Sequence, residues 1–234
     1  MVKYHFITFA TPSHMEFAEN NVKSALTIGG FDTATIYTPN DIDIRFKNKN
    51  CNIFKQSKGY GYWIWKPYFI LKKLLEIDEN DILCYNDSRY IWLNNIRELE
   101  KISLTNQNIG VFTNKPNGEF HIEKEWTKFD AFLLMNISNE VFYNKVKNQP
   151  QMWAGLALFR KCFNPIVFVG EWLTYCQDER IVTDLPSSLG SNDTSFVENR
   201  HDQTILSLLI KKWDLPVFYL DKKYLLDIRN PHKI

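Results

Sequence analysis

The opening of the chain does most to limit what it can fold into. Residues 3 to 9, Lys-Tyr-His-Phe-Ile-Thr-Phe, read as a strand that runs into the turn residues Thr11-Pro12-Ser13. Glu16 to Ile28 reads as a helix stopped by Gly29-Gly30, and Thr33 to Thr38 as a second strand, rich in β-branched residues and closed by Pro39-Asn40-Asp41. Two strands joined through one helix lie parallel, with a right-handed crossover, so the chain is expected to be an α/β protein.

The later pattern agrees. Gly59-Tyr60-Gly61-Tyr62 leads into a helix from Trp63 to Ile77, with Pro67 near its first turn, where proline is tolerated. Asp81 to Tyr85 is a short apolar run, read as a buried strand; Ile109 to Thr113, Ala154 to Phe159 and Val217 to Leu220 are further strands. Ile166 to Cys176 and Thr204 to Trp213 read as helices, and Ser187 to Thr194 as a polar loop. No repeat or linker divides the 234 residues, so one domain over 1–234 is expected.

Charge and composition exclude several classes. Hydrophobic residues make up 44% and charged residues 24%, which is globular composition. Lys and Arg number 28 against 27 Asp and Glu, too even a balance to draw nucleic acid or an anionic membrane. The most apolar stretch, Trp63 to Leu75, is broken by Lys66, Lys72 and Lys73, so no transmembrane segment is expected. Met1 to Ile7 carries no cleavage site, and the cytosol is the expected location. Cys51, Cys84, Cys162 and Cys176 form no Cys-x-x-Cys pair and read as free, reduced core thiols.

Three segments carry candidate chemistry. Asp87 follows the Ile82 to Tyr85 run within Asn86-Asp87-Ser88-Arg89, at the carboxyl end of a strand, where open α/β sheets bind ligands. A carboxylate there can hold a divalent cation against a diphosphate, although Asn-Asp-Ser is equally good turn chemistry. The block from Gly59 to Tyr68 holds five aromatic rings, two glycines and Lys66. A helix cannot bury rings at 60, 62, 63, 65 and 68 on one face, so some are expected at a ligand, stacking on a base or a sugar while Lys66 neutralises a phosphate. The third segment is Arg200-His201-Asp202-Gln203, ahead of an apolar helix; Asp202 is either a helix cap or a working carboxylate. Glu171 is a further carboxylate, on an amphipathic helix.

In order, Lys58-Gly-Tyr-Gly-Tyr-Trp-Ile-Trp-Lys-Pro-Tyr68, Asp81 to Asp87, Trp126 to Asp130, Gly170-Glu-Trp172 and Asn199-Arg-His-Asp-Gln-Thr204 resemble a family of small GT-A glycosyltransferases. The family occurs in bacterial surface-glycan clusters and large DNA viruses, including the first domain of a chlorella-virus capsid-glycan enzyme. The resemblance spans residues 3 to 230. It implies a GT-A domain with a mostly parallel central sheet flanked by helices, and transfer from a nucleotide-diphosphate sugar, UDP-linked, to a glycan or glycoprotein. It implies donor-binding residues at Thr8, Phe9, Ala10, Tyr60, Trp65, Lys66, Asp87, Arg89 and His201, with Asp202 and Glu171 as catalytic candidates. A divalent metal, Mn2+ or Mg2+, is implied on Asp87, with His232 as a further ligand. It also places the enzyme in the cytoplasm of a bacterium or of a virus-infected cell. The Asp-x-Asp pattern frequent in GT-A enzymes is incomplete here, because Arg89 follows Asp87-Ser88. A non-catalytic carbohydrate- or nucleotide-binding protein is the opposing expectation. A nucleotidyltransferase ranks last, since Phe9 to Ser13 lacks the basic, glycine-rich loop it needs.

Overall fold

The structure is a computed structural model that describes residues 1–113, 121–137 and 139–229. Six strands form one sheet in the order β2-β1-β3-β6-β5-β7: β1 (Tyr4–Phe9), β2 (Thr33–Tyr37), β3 (Ile82–Asn86), β5 (Ile109–Thr113), β6 (Leu156–Arg160) and β7 (Val217–Tyr219). β1 pairs parallel with β2 and β3, and β5 parallel with β7, while β6 runs antiparallel between β3 and β5. The mostly parallel sheet flanked by helices matches the expected α/β class.

Side chains alternate across the sheet with the period of two that a strand imposes. Ile7, Phe9, Leu83, Tyr85, Ala157 and Phe159 enter one apolar cluster, which also takes the helices Trp65–Glu76, Phe163–Cys176 and Asp202–Lys212. Tyr4, Phe6, Ile82, Cys84, Leu156 and Leu158 enter the other, under Trp92, Ile96 and Leu99. Both faces are covered, which is why these strands read as continuous apolar runs.

The expected elements are present with shifted ends. The first helix, Met15–Ser24, continues as a wider turn over Ala25–Gly29 and stops at Gly30, whose φ of 75° is a left-handed cap open to glycine. The helix expected from Trp63 starts at Trp65, and that expected from Ile166 starts at Phe163. Two short strands were not anticipated: β4 (Tyr90–Trp92) pairs antiparallel with β8 (Leu225–Asp227) in a separate ribbon. Of the cysteines, all free, only Cys84 and Cys176 lie in the core; Cys51 is exposed and Cys162 half-buried, so the expectation of core burial fails for those two. No helix among the described residues is long and apolar enough to cross a membrane.

Candidate functional site

The site grows from the carboxyl end of β3. The antiparallel register pairs Asn86 with Leu156, so the segment just before β6 is delivered to that end. The Gly155 carbonyl accepts from Asp87 N at 2.9 Å and from Asn86 Nδ2 at 2.8 Å. Next to it, the Ala154 carbonyl accepts from Lys66 Nζ at 3.1 Å. Two stretches distant in sequence thereby fix the backbone around one carboxylate.

Lys66, 4% exposed, serves two acids. Its Nζ lies 2.9 Å from Asp202 Oδ2 and 3.6 Å from Asp87 Oδ1, and 5.3 Å from the centre of the Tyr85 ring. Tyr85 OH donates to Asp87 Oδ1 at 2.8 Å, and Arg89 NH1 stands 3.9 Å from Oδ2. Burial alone would lower the lysine, but the two carboxylates outweigh it and raise its pKa. Burial likewise works to raise Asp87, but Lys66 and Arg89 hold it below the ordinary carboxylate value. For Asp202 the balance reverses: burial outweighs Lys66 and pushes the carboxyl up to about 6. One ammonium cannot fully compensate two buried carboxylates. The Lys66 contact to Asp202 Oδ2 is an ion pair without hydrogen-bond geometry, which leaves this buried oxygen with no hydrogen-bond donor among the described residues.

Asp202 is the first residue of the helix Asp202–Lys212, and His201 occupies the cap position without a side-chain capping bond. His201 has φ 58° and ψ −121°, the geometry of the first central residue of a type II′ turn, normally left to glycine, asparagine or aspartate. Such a conformation costs on the order of 1–3 kcal/mol and persists only where the surroundings impose it. Here His201 Nδ1 donates to the Val182 carbonyl at 2.7 Å, and the ring stacks 4.6 Å from Tyr62 and 5.6 Å from Trp63. Burial lowers its pKa to about 4, so it is neutral at pH 7. The Asp202 carbonyl is tied down by Trp172 Nε1 at 3.0 Å.

The aromatic block takes an unexpected form. Gly59, Tyr60, Gly61, Tyr62 and Trp63 all have positive φ, from 50° to 84°, so the chain makes a left-handed turn before the right-handed helix begins. Left-handed backbone costs roughly 1–2 kcal/mol for each residue with a Cβ. The turn is held by Tyr62 N to the Lys58 carbonyl at 2.8 Å, Gly61 N to the Gln56 carbonyl at 3.0 Å, and Trp65 Nε1 to the Gly59 carbonyl at 2.8 Å. Trp65 stacks on Phe9 with ring centres 3.8 Å apart.

Two cavities open on either side of this turn. One, of about 510 Å³, is lined by Phe9, His14, Tyr60, Trp65, Asp87, Arg89 and Arg229 among others. The second, of about 380 Å³, is lined by Lys66, Gln151, Trp153, Arg200, Asp202 and Gln203 among others. Trp63, Asp87 and Arg89 line both. Arg89 is braced from behind by Asp227 of β8, whose Oδ2 lies 3.2 Å from its Nε, and donates from NH2 to Tyr90 OH at 3.0 Å.

Of the residues singled out in the sequence, Phe9, Tyr60, Trp65, Asp87 and Arg89 line the first cavity, and Lys66, Asp87, Arg89, His201 and Asp202 the second. Thr8 and Ala10 are buried behind the first cavity; Thr8 Oγ1 donates to the Asn86 carbonyl at 2.8 Å. Glu171 lines neither cavity. It accepts from Lys212 Nζ at 2.6 Å and Trp213 Nε1 at 2.8 Å and so ties the helix Phe163–Cys176 to the end of the helix Asp202–Lys212. His232 lies outside the described residues. The lining residues His14, Arg229, Gln151 and Trp153 were not singled out. Trp63 was visible within the aromatic block, whereas Gln151 and Trp153 arrive through the β3–β6 register, which no local signal encodes.

No protein-family model and no curated relative matches the chain. Solved structures do. The bifunctional glycosyltransferase WbbM superposes with a TM-score of 0.52 at 10% identity, over 94% of this chain and 39% of that one. Glycosyltransferase GlyE of Streptococcus pneumoniae gives 0.48 at 14% identity, over 94% and 46%, and mouse xyloside xylosyltransferase 1 gives 0.47 at 13%, over 94% and 86%. The chain thus spans less than half of WbbM and GlyE. The fold is that of GT-A glycosyltransferases.

Proposed function

We propose that this chain is a glycosyltransferase that moves a sugar from a nucleotide-diphosphate donor, UDP-linked, to a hydroxyl of a glycan or glycoprotein. The observation that carries the reading is the pair of cavities that share Trp63, Asp87 and Arg89, with the Lys66–Asp202 pair in the lining of the second. We assign the nucleotide to the aromatic cavity, the diphosphate to the junction beside Arg89 and Arg229, and the acceptor to the second cavity. In the reaction the bond from the anomeric carbon to the diphosphate oxygen breaks, and one to the acceptor oxygen forms. Charge that develops on the leaving diphosphate meets guanidinium groups already held in place by Asp227, so little reorganisation is needed.

Asp202 acts at the reacting centre in this proposal. In an inverting transfer its carboxylate takes the acceptor proton, a role suited to a group with a pKa near neutrality. In a retaining one it orients the donor sugar, and the anomeric configuration of the product separates the two. Mn2+ or Mg2+ belongs to the same proposal, with Asp87 as its protein ligand. The fit is partial, because the Asp87 oxygens already face Tyr85, Lys66 and Arg89 and the described residues hold no group of three potential metal ligands. Most of the coordination would therefore fall to phosphate oxygens and water. A bound cation would act as a Lewis acid on the leaving group.

The test is a thermal-shift screen of UDP and UDP-sugars with and without Mn2+, followed by nucleotide-release assays on the binders. A ligand at 100 times its Kd should stabilise the fold by about 2.7 kcal/mol. Stabilisation without any turnover would favour a non-catalytic binding protein, a reading supported by the engagement of Asp202 with Lys66. No response to any nucleotide would overturn the proposal.

A further inference from the structure

We propose that Trp63 is the platform for the donor sugar, and that it selects pyranoses presenting an apolar C–H surface. The inference rests on the glycosyltransferase reading above. A donor that passes from the aromatic cavity into the second must place its sugar at the junction. Of the three residues that line both cavities, Asp87 and Arg89 are charged and Trp63 alone offers apolar surface. Aromatic rings pack against the C–H surface of sugars while the hydroxyl groups turn to polar partners, and Asp87 and Arg89 supply those partners here.

The local structure explains why this indole stands where it does. Trp63 is the last of the five left-handed residues, with φ 61°, and a right-handed backbone at that point would carry its side chain elsewhere. The ring lies against Gly59, where a Cβ would come within 2.4 Å of it. It also stacks on His201, the residue with the strained backbone that precedes Asp202. The platform and the carboxylate are thereby fixed relative to each other through a single ring contact. Trp63 remains half-buried and lines both cavities.

Calorimetry of UDP and of a UDP-hexose that stabilises the wild-type protein tests the idea. Trp63→Gly is the informative variant, because glycine accepts the left-handed backbone without strain and removes the ring. The variant should lose about 2- to 12-fold more affinity for the UDP-hexose than for UDP. Equal loss for both ligands, or loss for neither, overturns the assignment. A second measurement needs no variant: in hydroxyl-radical footprinting, the UDP-hexose should protect Trp63 from oxidation and UDP alone should not. Equal protection by the two would equally overturn it. Failure of the wild-type protein to bind either nucleotide would instead remove the glycosyltransferase reading, and this inference with it.

Discussion

Lys66 Nζ sits 2.9 Å from Asp202 Oδ2 in a pair whose side chains are 5% and 4% exposed. Removing one partner of such a pair leaves an uncompensated buried charge. Lys66→Met should therefore destabilise the fold by roughly 3–5 kcal/mol in denaturant titration. Adding Asp202→Asn to that variant should recover part of the loss, since the two positions are coupled. Additive losses would show that the pair contributes nothing as a pair.

Asp202 also sets a pH limit. With its carboxyl raised to about 6, the ionised form dominates above that pH and is lost below it. If the ionised form is the working one, kcat/KM should be flat above pH 6 and fall about tenfold per unit on the acid side. Asp202→Asn should bind donor normally, turn over orders of magnitude more slowly and lose that acid limb. Because the substitution takes one of two carboxylates from the buried Lys66, it should also lower stability, so turnover is compared at a temperature where both proteins are folded. A variant that transfers sugar at the parental rate would end the assignment.

Glu123 makes a different test, of the frame behind the second cavity. It is fully buried; its Oε1 accepts from Lys211 Nζ at 2.7 Å and from Ser207 Oγ, and its Oε2 from Thr127 Oγ1 at 2.6 Å and Gln151 Nε2 at 3.4 Å. Gln151 in turn accepts from Gln203 Nε2 at 2.9 Å, so the network reaches the cavity wall. Glu123→Ala strands Lys211 and should cost roughly 3–5 kcal/mol. An unchanged melting temperature would contradict the network as described.

Glu171 provides the negative control. Its partners Lys212 and Trp213 lie away from both cavities, and the ion pair is partly exposed. Glu171→Gln should lower stability by less than ~1 kcal/mol and leave turnover unchanged. A large fall in turnover with an intact fold would restore Glu171 as a catalytic candidate.

The difference between Asp87 and Glu171 shows what the sequence could convey. The placement of Asp87 was legible because an apolar run that breaks into polar residues marks the carboxyl end of a buried strand. Where Glu171 points was not legible, because the direction of a carboxylate on an amphipathic helix depends on packing with the distant Lys212 and Trp213. The β1–helix–β2 opening was readable from periodicity and its Gly29-Gly30 stop. β4 and β8, at three residues each, are too short for an alternation signal and exist only as a long-range pair. Gly59 and Gly61 signalled an irregular segment, but the left-handed path through Tyr60, Tyr62 and Trp63 is imposed by tertiary contacts against intrinsic preference.

The β4–β8 ribbon has a consequence for the order in which the molecule assembles. Tyr90 pairs with Asp227, and Asp227 also braces Arg89, so one rim of the cavity junction is built from residues more than a hundred positions apart. During synthesis the β1–β3 region can form as soon as it emerges, but Arg89 has no brace until β8 has left the ribosome. Asp227 is made 138 residues after Arg89, on the order of 7–28 s later at about 5–20 residues per second. A nascent chain therefore has nearly all of its core-forming elements synthesised before Arg89 acquires its brace.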